Sequence, residues 1–177
     1  PAANNLVFYG DSVANGTRKA MAAPGVTQDG WTPDKVLGAF TGADLRGKTA
    51  VISSGITNSR DEWQNQTYLI PKQIEAAKAA GASGVVLYGV GEGVKNYRAI
   101  NEDLKQIASL NGAKFVPLIG TGAGVDSQGK RQTAGWHPRD YAAQGTYTLG
   151  QVGVRQAPPA ESMVGRCATV TRAWARR

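Results

Sequence analysis

The 177-residue chain has little cysteine, little histidine and no long apolar run. Its single cysteine, Cys167, has no partner for an intramolecular disulfide and cannot form a multi-cysteine zinc site. No segment approaches the roughly 20 consecutive apolar residues that cross a bilayer, so the sequence predicts no membrane span. No cluster of histidine, cysteine and carboxylate residues has metal-ligand spacing, and we expect neither a metal nor a cofactor.

The chain carries an excess of positive charge, with 20 Lys and Arg against 13 Asp and Glu and a formal net charge of +7. Part of this excess lies beyond Leu149, where the sequence has five arginines and one glutamate. Such a balance favours encounter with polyanions. Because no dense basic run with interleaved aromatic residues occurs elsewhere, we expect no nucleic-acid partner and favour an anionic cell-wall or surface polymer.

Short apolar runs alternate with segments of helical periodicity, which predicts an α/β fold. The strands are predicted at residues 6–9, 49–54, 84–88 and 114–119, and the helices at 12–22, 68–80, 94–110 and about 138–149. Strands of this kind form a mainly parallel sheet of four to five strands with helices on both faces. We expect one domain over residues 1–156, followed at 157–177 by a basic C-terminal tail or the start of a linker.

A serine directly after the first predicted strand is the first candidate for chemistry. Gly10-Asp11-Ser12 ends that strand and opens the next helix, so the Ser12 hydroxyl would lie at a helix N-terminus, where backbone N–H groups stabilise negative charge. This is a suitable position for a nucleophile. The competing interpretation is a helix cap, because serine is also a favoured capping residue.

Three further positions supply the other groups that an acyl-transfer site needs. His137, the only histidine, precedes the last predicted helix and is the available general base. Gly30 precedes a predicted helix that begins at Pro33, and its backbone N–H could stabilise an oxyanion. Asn58 lies just past the second predicted strand, and its side-chain amide could do the same. Taken singly, His137 is also compatible with a surface histidine, Gly30 with a turn residue and Asn58 with a loop residue. Their positions at the carboxyl edge of the sheet favour a common site.

Together these blocks resemble the SGNH hydrolases, also called GDSL esterases and lipases. Gly10-Asp11-Ser12, Gly30, Asn58 and His137-Pro138 follow the order of the family's blocks over about residues 5–150. The resemblance implies a flavodoxin-like α/β/α sandwich and an esterase that forms an acyl-serine intermediate. It also implies Ser12 as the nucleophile, His137 as the base, and an oxyanion hole formed by the Ser12 and Gly30 amides with the Asn58 side chain.

The sequence departs from the family pattern at two positions. Asn58 is displaced by one residue within its block, and the aspartate expected three residues before the histidine is replaced by Ala134. Loss of the triad carboxylate typically lowers turnover by about 10⁴-fold. Ala134 is compatible with an introduced inactivating substitution, with a natural Ser–His dyad oriented by a carbonyl or by a carboxylate such as Asp126 or Asp140, or with a non-catalytic member.

Two tryptophans adjoin the candidate site and bear on the substrate. Trp31 follows Gly30 and Trp136 precedes His137, so each could stack on a sugar ring or pack in the core. No long apolar insertion is present to hold an acyl chain, which favours a small acyl group. The sequence therefore predicts an esterase that removes acetyl from an O-acylated glycan, located outside the cytoplasm or on a virion surface. The alternative is a glycan-binding or structural module on the same scaffold.

Overall fold

The computed structural model of the protein describes residues 5–132 and 134–153. The strands are β1 (Leu6–Gly10), β2 (Gly25–Thr27), β3 (Thr49–Ser53), β4 (Gly84–Tyr88) and β5 (Lys114–Val116). The helices are α1 (Ser12–Ala20), α2 (Pro33–Gly38), α3 (Leu69–Ala79), α4 (Tyr97–Leu110) and α5 (Tyr141–Gly153). None of these helices is long and apolar enough to cross a membrane. The boundary predicted at 156–157 and the tail after it lie outside the described residues.

The five strands form one sheet in the order β2-β1-β3-β4-β5, and every neighbouring pair is parallel. All carboxyl ends therefore meet at one edge. The strand order reverses between β1 and β3, and ligands of open α/β sheets bind at such a reversal. The loop after β1 lies there, flanked by the loops after β2 and β3.

Alternating side chains along each strand cover the two faces of the sheet. On β3, Ala50 and Ile52 join one buried cluster and Val51 joins the other. The first cluster packs against α2, α3 and α4, and the second against α1 and α5. Since both faces are covered by helices, the chain is a three-layer α/β/α sandwich of the flavodoxin-like type, and the predicted fold class is confirmed.

Four of the strands were predicted, and β2 was missed. The three residues of β2 are only partly buried, so their sequence lacks the apolar run that marks an interior strand. The last strand ends at Val116 rather than at residue 119, because the following Pro117 cannot donate to the sheet. Helix α5 begins at Tyr141 rather than near 138, since the carbonyl of Pro138 accepts a hydrogen bond from Val125 N–H outside the helix.

The substitution Gly10→Ala tests whether the stability of the protein requires the close approach of β1 to β3. The φ of Gly10 is +142°, and an added Cβ would collide with the carbonyl oxygen of Ser53. We expect Gly10→Ala to lower the free energy of unfolding by about 1–3 kcal/mol, because the strand pair must separate locally. The matched control is Gly150→Ala in α5, where nothing lies within 4 Å of the added carbon. This control should stabilise the protein by about 0.5–1 kcal/mol.

Urea unfolding followed by circular dichroism measures both changes. Equal effects of the two substitutions would contradict the proposed constraint at Gly10.

Candidate active site

The structure brings the Ser12 and His137 side chains into contact at the carboxyl edge of the sheet. Ser12 is the first residue of α1, and His137 lies in the loop before α5. The Oγ atom of Ser12 and the Nε2 atom of His137 are 2.8 Å apart. A hydroxyl within hydrogen-bond distance of an imidazole has the geometry in which the ring can accept the hydroxyl proton.

Asp11 holds the start of α1 beneath this pair. It is the N-cap residue of α1, and its Oδ1 accepts hydrogen bonds from the Val13 N–H at 3.0 Å and from the Ser53 Oγ at 2.6 Å. The residue is only 5% exposed, and this burial raises the pKa of its carboxyl group. The hydrogen bonds from Val13 and Ser53, and the charge of His137 when its ring is protonated, act in the opposite direction. Burial is the larger effect, so the pKa of the Asp11 carboxyl lies above its usual range.

Sequence reasoning assigned no role to Asp11 or Ser53. The register of the sheet explains their contact, because Gly10 of β1 pairs with Ser53 of β3 and Asp11 follows directly. The pairing of the two strands could be expected from the sequence, but their register could not be derived from apolar runs alone.

The second nitrogen of the His137 ring lacks a partner. Nδ1 is buried, and no residue in the described part of the chain hydrogen-bonds it. Ala134 is exposed and its methyl group cannot supply a bond. The two carboxylates considered from the sequence are engaged elsewhere: Asp126 accepts from the Gln128 and Lys130 N–H groups, and Asp140 from the Ala143 N–H.

The electrostatic environment of His137 combines burial with nearby negative charge. Burial lowers the pKa of the imidazole, because a charged ring is poorly solvated there. Negative charges on Asp11, Asp126 and Asp29 raise the pKa in opposition, but burial is the larger effect. The ring is therefore neutral near pH 7, which is the form that accepts a proton.

Backbone packing holds the loop that carries His137. The loop after β4, residues 89–93, lies against it: the Gly93 N–H donates to the Gly135 carbonyl at 2.9 Å, and an added Cβ at Gly93 would collide with the Ala134 carbonyl oxygen. On the other side, an added Cβ at Gly124 would collide with the His137 carbonyl oxygen. Glycine is needed at these positions because two backbones meet there. The loop at 89–93 therefore fixes the backbone of the loop that carries His137.

Gly30 and Asn58 lie in the two loops that flank Ser12. Gly30 is exposed in the turn after β2, with φ of +77°. Asn58 ends the short 3₁₀ helix Ile56–Asn58 after β3, and its Nδ2 donates to the carbonyl of Trp31 at 2.9 Å. This bond joins the two loops. The amide of Asn58 carries a second N–H donor in addition to the one in this bond.

The two tryptophans differ in exposure. Trp136 is 45% exposed, and its Nε1 donates to the Gly93 carbonyl at 3.3 Å, which fixes the ring beside His137. Trp31 instead packs part of its ring against the larger buried cluster. Of the two rings, that of Trp136 is the more exposed.

A small polar cavity borders the backbone on both sides of Ser12. Its volume is about 10 Å³, the space of a single water. The cavity is lined by Asp11, Val13, Ser53, Ser54, Gly55, Ile56, Thr57, Gly89, Val90, Gly91, Leu118 and Trp136.

Comparison with known proteins adds a family and a fold. A family model described as "PA domain" matches residues 8–125 of the chain, which include Ser12, Gly30 and Asn58 but end before His137. No curated protein matches the chain.

Several solved structures share the fold. A GDSL-like lipase from Bacteroides thetaiotaomicron is 16% identical, with 85% of this chain and 87% of that chain aligned and a TM-score of 0.58. A member of the lipolytic G-D-S-L family from Veillonella parvula is 15% identical over 85% and 98% of the two chains, with a TM-score of 0.60. The esterase EstA from Pseudoalteromonas, solved with monoethylphosphonate as inhibitor, is 15% identical over 84% and 96%, with a TM-score of 0.53. The chain therefore has the fold of the GDSL-like enzymes.

The single histidine allows a direct test of the site electrostatics. We expect the His137 imidazole to titrate below its usual value of about 6.5, because burial disfavours its charged form. The Ala134→Asp variant should titrate at a higher pH, because a carboxylate near Nδ1 would favour the imidazolium. Chemical shifts of the only imidazole, followed by NMR from pH 4 to 9, give both values. A pKa above 6.5 in the unaltered protein would contradict the buried, unpartnered ring.

Proposed function

The chain belongs to the PA domain family, and we propose that this member is a serine ester hydrolase of the SGNH type. The observation that carries the proposal is the 2.8 Å contact between Ser12 Oγ and His137 Nε2 at the N-terminus of α1. The contact lies at the strand-order reversal of a GDSL-like fold, where α/β enzymes place their sites.

The reaction follows from the roles of these two side chains. Ser12 Oγ attacks the carbonyl carbon of the ester as its proton passes to His137 Nε2. The alkoxide then leaves as an alcohol with the proton from His137, and the acyl group remains on Ser12. Water, deprotonated by the same nitrogen, attacks the acyl-serine; the bond from the acyl carbon to Ser12 Oγ breaks, the proton returns from His137 to Ser12, and the acid is released. An acceptor hydroxyl in place of water would give acyl transfer.

Negative charge develops on the carbonyl oxygen in both steps. We assign its stabilisation to the Ser12 N–H, the Gly30 N–H and the second amide N–H of Asn58. The Ser12 N–H belongs to the first turn of α1, whose N-terminus favours negative charge. Each such donor is typically worth about 3 kcal/mol in the transition state.

The proposed substrate is an O-acylated glycan with a small acyl group, most simply acetyl. The sequence has no long apolar insertion that could hold a long acyl chain, which supports a small acyl group. The exposed ring of Trp136 offers a flat face for a sugar, and the net charge of +7 suits an anionic polymer. A cell-wall or surface glycan as substrate would place the protein outside the cytoplasm or on a virion.

Hydrolysis of a chromogenic acetyl ester tests the proposal. We expect slow hydrolysis by the unaltered protein, none by Ser12→Ala, and a rise of up to about 10⁴-fold in turnover for Ala134→Asp, because a carboxylate would orient the ring and stabilise the imidazolium. Ser109→Ala, at an exposed serine of α4, is the matched control and should keep full activity.

The same variants separate the esterase from its alternative. The unpartnered Nδ1 of His137 favours a second candidate, a non-catalytic glycan-binding module. Such a module would not label at Ser12 with a fluorophosphonate probe and would hydrolyse no ester as the unaltered chain or as Ala134→Asp. Labelling that disappears in Ser12→Ala would exclude it.

Trp136 tests the glycan part of the proposal. We expect Trp136→Ala to raise KM for an acetylated oligosaccharide about tenfold, corresponding to roughly 1.4 kcal/mol of lost stacking, and to leave kcat for a small chromogenic ester nearly unchanged. Trp136→Phe keeps a flat ring and should restore most of the affinity. An equal loss on both substrates would assign Trp136 to the position of the His137 loop, through its bond to Gly93, rather than to sugar binding.

A further inference from the structure

Asp29 directly precedes Gly30, and its carboxylate bonds two other parts of the site. Its Oδ1 accepts a hydrogen bond from the Asn15 Nδ2 at 2.8 Å, and its Oδ2 accepts one from the Ser127 Oγ at 2.5 Å. Asn15 belongs to α1, three residues after Ser12, and Ser127 lies in the loop between β5 and α5. This bridge of Asn15, Asp29 and Ser127 joins three segments that are far apart in the sequence.

The Asn15 end of the bridge has a fixed orientation. Asn15 is only 8% exposed, and its Oδ1 accepts from the Thr27 Oγ1 at 3.0 Å and from the Arg18 Nη2 at 3.4 Å. Because two donors engage the amide oxygen, the amide nitrogen faces Asp29. Asn15 and Ser12 are three residues apart on α1 and lie on the same face of the helix. The bridge is therefore anchored on the side of α1 that carries the nucleophile.

The Ser127 end of the bridge leads to the loop that carries His137. Ser127 lies in the turn 126–130, whose two ends are joined by a backbone hydrogen bond of 2.8 Å. Just before this turn, the Val125 N–H donates to the Pro138 carbonyl at 2.9 Å. Pro138 directly follows His137, so hydrogen bonds connect the bridge to the backbone beside the base.

The middle of the bridge adjoins the Gly30 N–H, which we assigned to the oxyanion hole. That N–H belongs to the peptide bond between Asp29 and Gly30, so a fixed Asp29 side chain limits the rotation of this peptide. Gly30 has a φ of +77°, and nothing in the described chain lies within 4 Å of a Cβ added there. Since packing at Gly30 does not hold the turn, the hydrogen bonds of its neighbours must do so.

We propose that Asp29 is a positioning residue: its two carboxylate oxygens tie the Gly30 turn to α1 and to the loop of His137. The tie holds the Gly30 N–H against the oxyanion that forms when Ser12 attacks the ester. The inference rests on the proposed function. Asp29 exchanges no proton and acts only through its two hydrogen bonds. A displacement of about 1 Å in a positioned group can cost roughly 10²-fold in rate, so such a tie matters for turnover.

Two substitutions of Asp29 separate the tie from the charge. Asp29→Ala removes both hydrogen bonds. Asp29→Asn keeps them without the charge, because the new oxygen accepts from Asn15 and the new amide donates to the Ser127 hydroxyl. We expect Asp29→Ala to lower kcat for the chromogenic ester by about 10- to 100-fold with KM nearly unchanged, because the oxyanion is absent from the bound ester. Asp29→Asn should keep most of the activity.

The matched control is Asp44→Ala. Asp44 is an exposed aspartate whose two oxygens also accept side-chain hydrogen bonds, from the Arg46 Nε at 2.9 Å and the Arg46 Nη2 at 2.6 Å. It precedes β3 and so lies at the amino edge of the sheet, away from Ser12. This variant should leave kcat and KM unchanged. All variants are also made in the Ala134→Asp background, whose higher expected turnover makes a loss easier to measure.

Amide hydrogen exchange followed by NMR tests the tie without turnover. We expect Asp29→Ala to speed exchange of the Val125 N–H, which donates to the Pro138 carbonyl, by about tenfold or more. Asp29→Asn should leave that rate unchanged. Exchange of the Ile52 N–H, in the buried part of β3, should be equal in all variants, which separates a local opening from a loss of global stability.

Two results would overturn the inference. One is an unchanged exchange rate of the Val125 N–H in Asp29→Ala, and the other is an equal loss of kcat in Asp29→Ala and Asp29→Asn. Absence of ester hydrolysis in every form, the unaltered chain and Ala134→Asp included, would overturn the proposed function instead. The exchange rates would still decide whether Asp29 ties the loops together.

Discussion

The parallel pairing of β1 with β3 determines where the chemistry can occur. The pairing ends with Gly10 opposite Ser53, and the lack of a side chain at Gly10 lets the two backbones come together. Asp11 then follows at the point where its carboxylate meets the Ser53 hydroxyl and caps α1. Ser12 is thereby fixed at the first turn of the helix, and the position of its hydroxyl depends on strand register rather than on loop conformation.

Much of this arrangement could be predicted from the sequence, because it follows from the topology of a parallel sheet. Parallel strands bring their carboxyl ends to one edge, so Ser12 and His137 could be placed together although they are 125 residues apart. Strand β2 could not be predicted in this way, because its three residues are only partly buried and form no apolar run. The engagement of Asn58 with the Trp31 carbonyl and the burial of Asp11 depend on contacts between loops, which apolar periodicity does not encode.

Burial dominates the electrostatics of the His137 ring. Without a partner at Nδ1, burial is the larger effect on His137, and its pKa is lowered. A lowered pKa keeps the ring neutral and ready to accept a proton, but it makes the resulting imidazolium less stable. In the proposed reaction, this cost would appear in the step that transfers the proton from Ser12 to His137.

Orientation of the ring is a separate requirement, and here backbone contacts meet it. A triad carboxylate normally holds the imidazole in place. In this chain the loop of His137 is packed between Gly93 on one side and Gly124 on the other, with the Gly93 N–H bonded to Gly135. Side chains at either glycine would push this loop away from Ser12. The fold can therefore hold the histidine 2.8 Å from the serine without an acidic residue at position 134, because the two glycines fix the backbone that carries the ring.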